Sequence, residues 1–428
     1  MKAFLVALAF AFAASPATPA ETLYVHAGRL VDPVRGEAVR ERLIKIVDGR
    51  IASVSPWTAA PADGPVLDWS RYTVLPGLID LHTHVADGFG QTDDPAEALK
   101  HSEAETILKG AQAARIMLRA GFTTVRDVGA YRGLTDVALR DAIAAGWVEG
   151  PRMVVAGAYI TRPGGGGAVT GAPAGTEIPM AFRLGEARGP DEARRRVRYL
   201  IGHGADFIKI IATGAVLAVG SEPGALELSE AEIKAACDEA KALGRYCIAH
   251  AHGAEGIKAA IRAGARTIEH ASLIDDEGIA LAKARGVWLD MDIYNGDWIE
   301  EFGTKQGWPA EYLRKNRETT DAQREGFRKA VKAGVKLTFG TDAAVYPYGL
   351  GARQFAYMVR FGMTPAQAVR SATVEAAAAL GLERELGRVE PGFAADLVAV
   401  EGDPLADARV LETVRGVVKA GRVVLGNP

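Results

Sequence analysis

Between positions 77 and 342 the chain repeats one pattern eight times: a short apolar, β-branched run, then a stretch with helical spacing. The runs are "GLIDLHTHV", "FTTVRDVG", "RMVVAGAYI", "DFIKIIATG", "RYCIAHAHG", "RTIEHAS", "VWLDMDIY" and "KLTFGTD". That count over roughly 300 residues suits a closed barrel better than a doubly wound sheet. The expected fold is therefore α/β, a (β/α)8 TIM barrel over 76–385 with its chemistry at the C-terminal strand ends. Residues 21–75 and 386–428 instead show strand-length alternation with turn signals, as in "IKIVDGRIASVSP" and "VRGVVKAGRVVLGN". Both chain ends are expected to build one small β-sandwich domain beside the barrel.

The remaining features narrow the class of partner. The formal charge is −3 and no basic run recurs along one face, which argues against nucleic acid and against an anionic membrane. Small molecules or dipeptides are the expected ligands. Residues 1–20 read as a signal peptide: Lys2, an apolar run from Ala3 to Ala14, then "SPATPA". The mature chain is expected to be exported, periplasmic or secreted. Cys237 and Cys247 could pair there, or remain two buried free thiols. The Gly-rich stretch from Thr161 to Pro190 reads as a substrate-covering loop.

Of eight histidines, five fall at proposed strand ends: His82, His84, His250, His252 and His270. An i, i+2 spacing on a strand points both rings of a pair to one side. Asp342 closes the last run, although an aspartate there could instead cap a helix. Several imidazoles and a carboxylate on one rim form a ligand set that zinc favours. His26, His101 and His203 read as ordinary structural histidines. Lys209 stands inside the apolar run "ADFIKIIATG", where an unpaired ammonium must shift its pKa, find a partner or be modified.

"PGLIDLHTH", the lysine of "FIKIIATG", "AHAHG", "IEH" and "FGTDA" occur in an order that resembles the metal-dependent amidohydrolase superfamily. The branch resembled contains Xaa-Pro dipeptidases, imidazolonepropionase-like proteins and carboxypeptidase-like ochratoxinases. The resemblance implies two divalent metals, expected to be zinc: His82, His84 and Asp342 on one, His250 and His270 on the other. It further implies that Lys209 is carbamylated and bridges both. His252 would contact substrate or support a ligand. A homo-oligomer, by resemblance an octamer, is also implied.

These parts predict amide hydrolysis without a serine or cysteine nucleophile, with Asp342 moving the proton. Expected substrate contacts are Tyr159, Arg162, Ser221, His252, Tyr294 and Tyr346. Arg162 and His252 could hold a free carboxylate, giving a carboxypeptidase or dipeptidase acting on dipeptides or N-acyl amino acids. Ochratoxin A, an amide of phenylalanine with an aromatic acid, has that shape. The chain departs from the resembled pattern at Gly166, where relatives commonly carry a histidine. Rival readings are a prolidase, a cyclic amidase of imidazolonepropionase type and a non-catalytic metal-binding barrel.

Overall fold

The structure, a computed structural model, describes residues 21–87 and 94–426. The expected signal peptide lies outside the described residues. Among those described, no helix is long and apolar enough to cross a membrane.

The chain opens with β1 (Thr22–Asp32), β2 (Glu37–Val47), β3 (Arg50–Pro56) and β4 (Val66–Pro76). Nine short segments follow: β5 (Leu78–Thr83), β6 (Phe122–Asp127), β7 (Arg152–Val155), β8 (Tyr159–Ile160), β9 (Ile208–Ile211), β10 (Cys247–Gly253), β11 (Thr267–Leu273), β12 (Trp288–Asp290) and β13 (Leu337–Thr338). The last three are β14 (Leu397–Val400), β15 (Val414–Lys419) and β16 (Arg422–Leu425). Both chain ends contribute to one seven-stranded sheet ordered β16-β15-β14-β4-β1-β2-β3. The parallel β1–β4 pair, with a register shift between Ala27 and Arg29, links the strands of the two chain ends into one sheet. This sheet has its own core around Val25, Ile44, Leu67, Trp69 and Leu397. Residues 386–396, expected as strand, connect to it instead through loop contacts such as Ile51 N to Phe393 O.

All strands from β5 to β13 pair in parallel, in the runs β5-β6-β7 and β8-β9-β10-β11-β12-β13. The amides of Leu81 and Asp342 donate to Phe339 O and His82 O, which joins the first strand to the segment after the last. The third predicted strand is split because Gly157 adopts φ +80°, a left-handed turn between β7 and β8. Helices alternate with the strands, and three begin with reciprocal caps, Ser102 with Glu105, Ser229 with Glu232 and Thr364 with Gln367. Cys237 on helix Glu230–Ala242 is bonded to Cys247 at the start of β10, so the free-thiol alternative falls; their Cα atoms are 5.2 Å apart.

Strand alternation then decides which residues meet. Ile208 and Ile210, Ala249 and Ala251, and Ile268 join the main hydrophobic core. Lys209, His250 and His252 between and after them face the opposite way, toward a cleft at the strand ends.

Candidate active site

The cleft and its open mouth together span about 1320 Å³ of empty space, solvent included. His82, His84, Lys209, His250, His252, His270 and Asp342 line it together. Donor atoms of His250, His252 and His270 lie within 4.8 Å of one another, as do those of His82, His270 and Asp342. His84 Nε2 and His82 Nε2 are 3.1 Å and 3.4 Å from Asp342 Oδ1.

His270 reaches this group through backbone strain. Glu269 is buried in the strand interior, and simple alternation would turn its neighbour outward. His270 and Ala271, inside β11, adopt φ 66° and 49°, and Asp342, past β13, adopts φ 55°, so both backbones bend to bring the His270 and Asp342 side chains into the cleft. Gly340 is needed for a different reason: a Cβ there would stand 1.7 Å from Asp290 Oδ1.

The second ring nitrogens show how the histidines are prepared. His84 Nδ1 lies 3.1 Å from Gly129 O, His250 Nε2 3.2 Å from Gly214 O, and His270 Nδ1 2.9 Å from Asp292 Oδ1. Carbonyl and carboxylate oxygens only accept, so each places the proton on that nitrogen and leaves the other a lone pair. His82 Nδ1 faces Glu269 Oε2 at 3.2 Å, and His252 Nδ1 meets Ser272 Oγ at 2.8 Å. This is the arrangement in which outer hydrogen bonds orient metal-binding imidazoles.

Electrostatics point the same way. Burial, reinforced by neighbouring positive charge, holds His82, His250 and His252 well below an ordinary histidine, in their neutral ligand form. Burial pulls on His84 and His270 too, but Asp342 and Asp292 outweigh it and raise them. Burial would also raise Asp342, yet its contact with His84 and the charges of His84, His270 and Lys209 hold its carboxyl at about 2. Lys209 is buried and its Nζ has no hydrogen-bond partner. Burial lowers its ammonium to about 8 against the pull of Glu269 and Asp342. An orphaned, partly deprotonated amine beside the neutral imidazoles of His82, His250 and His252 fits the carbamate and the metals that the sequence resemblance implies.

The substrate contacts expected from sequence divide. Tyr159 and His252 line the cleft; the Tyr159 hydroxyl donates to Gly129 O and approaches His84. Arg162, Ser221, Tyr294 and Tyr346 are not among the lining residues. Arg162 turns to Glu227 at 3.2 Å, and the Ser221 hydroxyl donates to the same carboxylate. Tyr294 and Tyr346 pack against each other behind the wall in an aromatic cluster with Trp308 and Tyr312. Gly166 does line the cleft, but its amide donates to Glu227 and a Cβ there would lie 2.9 Å from Ala215 Cβ. A histidine would not fit that place without moving the facing loop. His26, His101 and His203 lie elsewhere, each against its own acceptor: Glu41, Glu97 and Tyr199 O.

Several site residues went unread in the sequence. Arg126 donates to Leu81 O and to both oxygens of Glu269, and Glu269 also accepts from Thr267. Asp80 accepts from Thr341 and the His82 amide, and burial lifts its carboxyl to about 7. On the outer wall, helix Ala310–Ala333 turns Tyr312, Asn316, Thr319, Thr320 and Gln323 toward the cleft.

The amidohydrolase family model matches residues 73–424. The chain belongs to the amidohydrolase family. An ochratoxinase of Aspergillus niger is 31% identical over 429 aligned residues, which cover 95% of this chain and 87% of that protein. A crystal structure of a Xaa-Pro dipeptidase with methionine bound in its active site superposes with TM-score 0.88 at 36% identity, covering 94% of this chain and 99% of that one. The A. niger ochratoxinase structure gives TM-score 0.84 at 29% identity, with 96% and 97% covered. The chain is thus a hydrolase of amide bonds in a metal-dependent family whose members act on small molecules.

Proposed function

We propose that this amidohydrolase is a binuclear metal enzyme that cleaves the amide bond of dipeptides or N-acyl amino acids with a free C-terminal carboxylate. The observation that carries the reading is the convergence of five oriented histidines, Asp342 and an unpartnered Lys209 at one cleft floor. In this reading the two parallel runs form one closed (β/α)8 barrel. His82, His84 and Asp342 would hold one ion, His250 and His270 the other, and a carbamylated Lys209 would serve both. Divalent metals held by these residues would lower the pKa of a water and polarise the scissile carbonyl.

The chain's own groups do the rest. Asp342 accepts the proton of the attacking water and delivers it to the departing amine. His270 is fixed by Asp292, and His82 Nδ1 stands 3.2 Å from Glu269, which Arg126 holds in turn. Ile211, Val216, Leu217, Ile299 and Trp308 give the cleft an apolar wall suited to a bulky side chain. With Arg162 engaged by Glu227, the carboxylate contact falls to His252 and to the polar face of helix Ala310–Ala333. Ochratoxin A is the candidate substrate that combines an apolar amino acid, a secondary amide and an aromatic acid. An exported chain would keep its Cys237–Cys247 bridge oxidised.

The test is a substrate panel on metal-loaded protein: ochratoxin A, N-acyl-phenylalanine, Xaa-Pro dipeptides and a cyclic amide. Release of free amino acid from the first two at the highest kcat/KM is expected. Turnover of only the prolyl or only the cyclic substrate would replace this reading with that rival.

A further inference from the structure

Asn295 stands between two carboxylates that belong to different parts of the site. Its Nδ2 donates to Asp292 Oδ2 at 2.5 Å and to Asp342 Oδ2 at 3.2 Å. Both acceptors are carboxylate oxygens, so the amide can only be oriented with its NH2 between them and its Oδ1 turned away, where it has no partner. Asn295 is buried at the start of the short helix Asn295–Trp298 and lines the cleft.

Each carboxylate has its other oxygen committed. Asp292 Oδ1 accepts from His270 Nδ1 and from Gln323 Nε2 at 2.9 Å, while Gln323 also donates to His270 O. Asp342 Oδ1 faces His82 and His84. One amide group therefore ties Asp292 after β12, the support of His270 on β11, to the carboxylate after β13. It also offsets the repulsion between two buried like charges.

We propose that Asn295 is a positioning residue: it fixes the rotamer of Asp342, so that one carboxylate oxygen serves as ligand while the other is held for proton transfer. This rests on the reading of Asp342 as ligand and proton carrier. Neither a metal contact nor a substrate contact is required of Asn295 itself.

The experiment compares wild type, Asn295→Ala, Asn295→Ser and the isosteric Asn295→Asp, each loaded with cobalt(II). Metal content, visible absorption spectrum, kcat and KM are measured on every sample. Expected are two metals per chain in the Ala and Ser variants, an altered cobalt spectrum, and kcat at least tenfold lower with KM within about twofold. Asn295→Asp, which places an acceptor between two acceptors, is expected to lose more kcat than Asn295→Ala. An unchanged spectrum with kcat within twofold of wild type would overturn the proposal, as would an Asp variant as active as wild type. If wild type cleaves no amide at all, the functional reading fails, and the spectra still decide whether Asn295 sets the Asp342 carboxylate.

Discussion

In metal-free protein Lys209 should cost the fold stability, and the cost should disappear at high pH. Its ammonium falls from an ordinary 10.5 to about 8 on burial, a difference worth about 3 kcal/mol by linkage. The sign follows from proton counts: between these two values the unfolded chain binds the proton more tightly than the folded one, so stability rises with pH across that window. Below pH 8 the full penalty applies, and by pH 10 only about 1 kcal/mol remains by the same linkage. Lys209→Met removes the titrating group and keeps most of the volume. In chelator-treated samples unfolded by urea, the variant should exceed wild type by about 3 kcal/mol at pH 7, and the gap should close as pH approaches 10.5. With zinc and bicarbonate present the order should reverse, because wild type gains the free energy of metal binding. A variant no more stable at pH 7, or a gap that does not shrink with pH, would refute the assignment of Lys209 as a desolvated, unpaired amine.

Other consequences are more direct. Arg126→Met leaves Glu269 charged and buried without its partner, so unfolding free energy should drop by about 3–5 kcal/mol in urea titrations. Converting both Cys237 and Cys247 to Ser opens a ten-residue separation and should cost about 3 kcal/mol, read by the same titration with and without reductant. Arg162→Ala should change KM for a carboxylate substrate less than about threefold, since Arg162 is 41% exposed and engaged by Glu227; a loss of hundredfold would restore it as the carboxylate contact. His252→Ala should raise KM while elemental analysis still finds two metals, separating a substrate contact from a ligand.

Much of this site was legible because strand ends advertise themselves. Pairs such as His82 with His84 and His250 with His252 follow the two-residue strand period, so their common direction could be read from spacing alone. His270 was expected to close its strand; it lies mid-way along β11, and the left-handed backbone that turns it inward leaves no mark in "RTIEHAS". Glu269 was within reach: an acid in that apolar run poses the same desolvation problem as Lys209, and the same question would have led to Arg126. Asn295, Asp292 and Gln323 were not, because their meaning lies in contacts between segments up to 53 residues apart. Helix Ala310–Ala333 has a polar face that sequence alone assigns to water, whereas part of it walls the cleft. The tyrosines after β12 and β13 were placed at the mouth by loop position, but aromatic packing drew them behind it.

The most direct measurement is a metal count on the purified chain combined with carbon-13 NMR in labelled bicarbonate. Two divalent ions per chain and a carbamate resonance are expected in wild type, both lost together in Lys209→Ala. Two ions without a carbamate signal, or a Lys209→Ala chain that keeps both ions, would contradict the bridging role of Lys209 on which the binuclear reading stands.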